Sequence, residues 1–467
     1  MFELAILSAV GVFALTLPGF VLLVHREWER SGGGLFLLSP ATVFYLAYLA
    51  SFAIRPPFQV TGTLQYDFST SADETLFLAQ LTSVLAWYGF VIGYILIPSP
   101  ERRAPVAPTG QVATEIRLRA SGAYVLSIFA SMGFLAVLAP LNVFTLDFGY
   151  NRVAYLNALF GAGYMYLLNL MAGTLLLMGL MFSSFCRRSP RLLALGAWAA
   201  YLLPNILVTN RFLVSAVLFA LLLVAALRRL RSGKRISAMN VIVVLGTLAA
   251  VGALLGLVRG FSEGLEYAEE RRNPLVFFLW TFDMSEFYQL ALQNIHQFDL
   301  GRSWVEDLFL QFLPRALFPW KPQFYGAVRL QAETMPGSVP PDGMLSATYP
   351  ISMFGEGYAN FGFPGLLLVG LAIGIILKLV FSRALQAGLS ARRPFWPLMS
   401  FCLFVLVCAN ALGYLRSFGW FASTLVFHGI VYAFCYLGVW LIVELCRGAI
   451  EASLQAHGIA DGRVHVA

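Results

Sequence analysis

Apolar residues fall in long blocks separated by short polar breaks. A bilayer-spanning helix needs about 20 mostly apolar residues. Eleven stretches approach that length: 2–24, 35–54, 75–97, 119–141, 161–185, 192–208, 212–227, 239–258, 364–381, 395–413 and 424–445. Only Thr209, Asn210 and Arg211 separate the sixth from the seventh. One long polar segment, 259–349, interrupts the series. Within it the pattern predicts a helix over 275–295. Thr281, Ser285, Gln289 and Gln293 recur every fourth residue with Glu286 beside them, and Phe277, Trp280, Met284, Phe287, Ala291 and Ile295 form the other face. Asp283 sits on the border. Such a helix lies in the interface or against a bundle rather than spanning. A second, shorter one is predicted over 303–313, stopped by Pro314, and a run rich in Pro and Gly then reads as a shaped loop. The expected organisation is eight spans in 1–258, an external loop over 259–363, three spans in 364–446 and a tail over 447–467.

Composition sharpens this all-α polytopic picture. Of 467 residues, 59% are hydrophobic and 12% charged, against nearly half and about a quarter in soluble domains. A disordered chain, a basic nucleic-acid-binding domain and a water-soluble enzyme are excluded. The first stretch lacks a basic leader and a small-residue cleavage site, so it reads as a retained helix. The five cysteines lie in or beside apolar stretches and none in 259–349, which predicts neither a disulfide framework nor a metal site.

The placement of basic residues fixes an orientation. Loops after the third, fifth, seventh and ninth stretches are rich in Arg and Lys: Arg102, Arg103, Arg117 and Arg119; Arg187, Arg188 and Arg191; Arg228, Arg229, Arg231, Lys234 and Arg235; Arg383, Arg392 and Arg393. The alternate short loops carry one each: Arg55, Arg152, Arg211 and Arg416. By the positive-inside rule the rich side is cytoplasmic. The N-terminus and 259–349 are then outside, and the tail is inside.

Arg152, Arg211, Arg259 and Arg416 are therefore external, joined in the long loop by Arg315, Lys321 and Arg329. Each alone reads as a snorkelling interface residue. Together, facing a cavity, they would bind an anion such as a lipid-linked diphosphate. Asp283, Glu286 and Glu356 are candidate acid–base groups. Glu356 lies in GEGYANFG (355–362), where Tyr358 and Asn360 can face a sugar; the plainer reading is a loop in which Glu356 pairs an Arg. His296 has the right intrinsic basicity for a general base. No nucleotide-binding loop, HExxH pattern or GxSxG elbow is present.

These residues resemble the Wzy-type oligosaccharide repeat-unit polymerases, the O-antigen and enterobacterial common antigen polymerases. The stretches that carry the resemblance are EFYQLALQN (286–294), FLPRALFPWKP (312–322), TMPGS (334–338) and GEGYANFG (355–362), with TNRF (209–212) and NALGYLRSFG (410–419) at the family's external Arg positions. It covers the chain from about the fourth stretch to the eleventh. Arg152 to Gly163 and Arg315 to Gly326 also fit a paired Arg-x10-Gly pattern of some members, a weak signal in a chain this rich in Arg and Gly.

The resemblance implies a GT-C-like bundle in the bacterial inner membrane, its active site facing the periplasm. It implies an enzyme that uses neither metal nor other cofactor and transfers a growing glycan from undecaprenyl diphosphate to a lipid-linked repeat unit. Arg211, Arg259, Arg315 and Arg416 would hold the diphosphate, and Glu286, Glu356 or His296 would deprotonate the acceptor. Expected partners are the undecaprenyl-diphosphate-linked oligosaccharide, membrane lipids, a chain-length-regulating co-polymerase and a flippase, with no nucleic acid. An O-antigen ligase is the nearest alternative. A lipid-linked oligosaccharide flippase or other transporter, and a scaffold, stand further off.

Overall fold

The computed structural model describes residues 2–31, 34–61, 74–98, 111–141, 151, 155, 163–186, 190–208, 211–232, 237–239, 241–243, 246, 282–310, 313, 317–322, 324–337, 351–389, 395–409 and 417–456. Among them no strand occurs, and the elements are helices. Six are long and apolar enough to cross a membrane. They are carried by α1 (Phe2–Ser31), α4 (Glu74–Leu96), α5 (Gln111–Leu138), α6 (Gly163–Ser183), α13 (Phe363–Leu389) and α15 (Phe418–Ala456). The lipid signature lies on their outer faces. Leu7, Val10 and Val21 of α1 and Phe434, Leu441 and Leu445 of α15 are exposed, where a soluble protein would place polar residues.

The other predicted spans depart from that simple form. The 35–54 stretch begins as a 3-10 turn (Gly34–Leu38) and becomes α2 (Pro40–Leu49), whose N-cap Ser39 accepts the Thr42 N–H. It passes through a π-helical turn (Ala50–Ile54) into α3 (Arg55–Val60) without a break. The sixth and tenth stretches form α7 (Arg191–Leu207) and α14 (Phe395–Ala409), shorter apolar helices. The seventh forms α8 (Arg211–Arg231), ending in Arg228, Arg229 and Arg231. Most of 239–258 lies outside the described residues.

Two apolar cores organise the bundle. One gathers Val12, Phe44, Tyr48, Trp87 and Phe90 from α1, α2 and α4. The other gathers Tyr124, Leu176, Phe219 and Tyr432 from α5, α6, α8 and α15. α13 belongs to both, giving Leu366, Val369 and Ile373 to the first and Phe381 and Ala384 to the second.

The seam between α4 and α13 is a close backbone approach. A Cβ placed on Gly89 would meet the Leu367 carbonyl oxygen at 2.3 Å, and one on Gly93 the Leu371 oxygen at 2.2 Å. In return, Gly370 and Gly374 lie as close to the carbonyls of Ala86 and Phe90, at 2.0 and 2.3 Å. Each helix thus offers two glycines four residues apart, and the backbones touch. In lipid, where apolar side chains gain little by leaving their solvent, such dispersion contact is what associates helices.

Among the described residues of 282–361 lie four short helices: α9 (Met284–Asn294), α10 (Arg302–Leu310), α11 (Gly326–Thr334) and α12 (Ser352–Phe361). They pack on one another, on α4 and on the start of α15. Three details differ from expectation. α9 begins at Met284, with Phe282 and Asp283 outside the helix. The Pro/Gly run contains α11. GEGYANFG is helical through Phe361 rather than a loop, and in the first turn of that helix Ser352 Oγ accepts the Gly355 N–H at 3.1 Å.

Candidate functional site

α9 explains its own polar period. Ser285, Glu286 and Gln289 are buried together with Met284, Phe287 and Tyr288, so the helix lies inside the protein rather than in a lipid interface. Its polar face meets polar partners on the first helices. Arg55 Nη2 donates to Glu286 at 2.5 Å, with both side chains almost fully buried. Gln59 Nε2 donates to Gln289 at 3.3 Å and Gln293 Nε2 to Thr75 at 2.8 Å. Tyr288 shares a hydrogen bond with Thr82 at 2.9 Å. This carboxylate is committed to a buried ion pair, and removing either partner would strand a charge.

Glu356 is held differently. It is fully buried on α12 and takes its donors from the turn that opens α15. Ser417 Oγ donates at 2.8 Å, the Phe418 N–H at 2.5 Å and the Gly419 N–H at 3.2 Å. Those amides have no intrahelical acceptor, being the first of a helix, and the helix dipole adds attraction for a carboxylate. Burial nevertheless dominates and pushes the Glu356 carboxyl up, against the three donors.

Beside it lies Asp307, which the sequence did not single out. Its carboxylate is wedged between two glycines. A Cβ on Gly326 would fall 1.9 Å from Oδ1, and one on Gly419 2.3 Å from Oδ2. Gly326 also sits at φ +56°, where a side chain is strained. The Ala327 N–H donates to Oδ2 at 3.0 Å, while buried Oδ1 has no hydrogen-bond partner among the described residues. Burial, then the neighbouring Glu356 charge, drive the Asp307 carboxyl well up.

A more exposed ionic knot closes the cluster. Arg329 binds Asp299 at 2.6 Å, Glu306 at 3.1 Å and Glu333 at 2.9 Å. Glu306 also takes Arg302 at 2.6 Å and the Gly326 N–H at 2.8 Å. Burial raises the Glu306 carboxyl, but the amide and the two guanidiniums outweigh it and hold it below its ordinary range.

The remaining candidates sort as follows. Asn360 is a clasp: Nδ2 donates to Ser303 at 2.7 Å and to the Glu356 carbonyl at 2.8 Å, and Oδ1 accepts the Gly301 N–H at 2.8 Å. Half-buried Tyr358 sits among the rings of Tyr288, Phe298 and Phe363. Lys321 donates to the Leu313 carbonyl at 3.1 Å and lies over Tyr325. His296 is exposed just past the end of α9. Arg211 opens α8, and its side chain is not described. Arg152, Arg259, Arg315 and Arg416 lie outside the described residues.

The structure therefore gathers Glu356, Asn360 and Arg329 around α10, sets Tyr358 against Tyr288 of α9 and pairs Glu286 with Arg55. Sequence reading missed Asp307 and used Arg55 only to orient the chain. The traces it left are Asp307 beside Glu306 in one short helix, and Arg55 as a lone charge beside an apolar stretch. No protein-family model, curated protein or solved structure matches the chain.

Proposed function

We propose that the chain is a Wzy-type polysaccharide polymerase. It transfers a growing O-antigen or common-antigen type glycan from undecaprenyl diphosphate to the next lipid-linked repeat unit, at the periplasmic face of the inner membrane. The observation that carries the reading is the meeting of distant stretches that resemble the family's. EFYQLALQN and GEGYANFG pack together as α9 and α12. The turn after Arg416, at the end of NALGYLRSFG, closes on Glu356.

The chemistry needs a cation more than a strong nucleophile. The bond between the anomeric carbon and the diphosphate oxygen breaks, and a new glycosidic bond forms to the acceptor hydroxyl. The hydroxyl proton passes to a base, and undecaprenyl diphosphate departs with the bonding electrons. Negative charge grows on the diphosphate, which fixed guanidiniums of Arg211, Arg259, Arg315 and Arg416 would stabilise. In this reading Glu286 and Glu356 act by holding Arg55 and the 417–419 turn. His296 is then the base, since its exposed ring is open to an acceptor.

The test is polymerisation in lipid nanodiscs with a single lipid-linked repeat unit. Wild type is expected to build a ladder, and Arg416→Ala to stop it while the protein stays folded. A normal ladder from that variant would remove the clamp. Transfer only after adding a lipid A-core acceptor would make the protein a ligase.

A further inference from the structure

Two acidic side chains share the buried space at the start of α15, and among the described residues their surroundings do not supply two countercharges. Glu356 and Asp307 are 0% and 1% exposed. Both reach Gly419, Glu356 by accepting its N–H and Asp307 by lying against its Cα. The donors to the pair are one hydroxyl and three amides. Among the described residues the charged groups facing Asp307 are Glu306 from its own helix, Glu356 from α12 and Arg329 from α11. Arg329 is already bound to Asp299, Glu306 and Glu333. The described first turn of α15 offers only amides and Ser417. Two anions here would leave Oδ1 of Asp307 charged, buried and without a donor, which is costly.

We propose that Asp307 is a positioning residue that works as a neutral acid: it shares one proton with Glu356, and the pair clamps the 417–419 turn that follows Arg416. One carboxyl is protonated and donates to the other, as like-charged carboxylates in contact cannot both ionise. Repulsion is thereby turned into a hydrogen bond. The remaining negative charge sits where the first amides of α15 stabilise it. Burial and mutual repulsion both favour the protonated form. Deprotonation at high pH would set two anions against each other and loosen the turn. The part played by Arg416 rests on the polymerase reading, whereas the shared proton does not.

The two claims separate experimentally. In wild-type protein in nanodiscs, infrared difference spectra should show a protonated carboxyl at neutral pH that is lost on alkaline titration and is missing from Asp307→Asn. A wild-type spectrum with no acid band at neutral pH overturns the shared proton, whether or not any variant folds or polymerises. Asparagine keeps a neutral donor at every pH. Asp307→Asn should therefore keep polymerisation near the wild-type rate and extend it to higher pH, while Asp307→Ala, which misplaces the turn, should lose about 100-fold. Equal losses in folded Asn and Ala variants would overturn the positioning role. If wild type makes no polymer under any condition, the polymerase reading fails alone, and the titration still decides the proton.

Discussion

The α4–α13 seam and the short-helix cluster beside it are both tightly packed, by opposite means. At the heart of the seam four glycines set backbone against backbone, and its one described charge, Lys378 over the Tyr94 ring and paired with Glu27, lies a turn beyond Gly374. In the cluster, carboxylates close the gaps, bound to first-turn amides at Gly326, Ala327, Phe418 and Gly419 and to Arg55, Arg302 and Arg329. The glycine crossing should therefore respond chiefly to volume. The cluster should respond to charge.

The largest effect is expected where a charge would be stranded. Arg55→Ala leaves Glu286 buried without its cation and should cost roughly 3–5 kcal/mol. Joint replacement of Arg55 and Glu286 by leucine should recover most of it. Melting midpoints of the detergent-solubilised protein would show this; a single variant as stable as wild type would mean the ion pair holds nothing. A smaller loss, about 1–3 kcal/mol, is expected from Gly374→Leu, which forces the seam apart. Its melting deficit should be constant across pH, and a pH-dependent deficit would break the contrast between the two regions. The smallest effect concerns the ionic knot. Glu306 is held below its ordinary range, so its contribution is present above the unfolded-state value and is lost as pH falls through the lower folded-state value. Glu306→Gln should flatten the acid side of the wild-type stability profile, and an unchanged acid limb would show that Glu306 does not set it.

Much of the architecture was legible because lipid imposes strong rules on sequence. The apolar blocks mark α1, α4, α5, α6, α13 and α15, and the fourfold polar period marks α9. The partners of that polar face were not legible. Arg55 stands 231 residues before Glu286, and no local pattern links them. The glycines of GEGYANFG argue for a loop, yet the Ser352 hydroxyl bound to the Gly355 N–H and packing against α9 and α13 make it a helix. α11 was hidden by the prolines around it. Asp307 was hidden because its meaning depends on Gly326 and Gly419, which contribute only the absence of a side chain.

The π turn at Ala50–Ile54 has a consequence for Arg55. Such a turn accommodates one surplus residue inside an otherwise ordinary helix. A residue advances about 100° around the axis of an α-helix and less in the wider π turn, so the same five residues wound as ordinary helix would swing the guanidinium away from Glu286, whereas losing the surplus residue would leave its direction nearly unchanged. A helix that keeps all five residues but loses the π turn would look the same in hydropathy yet point this arginine elsewhere.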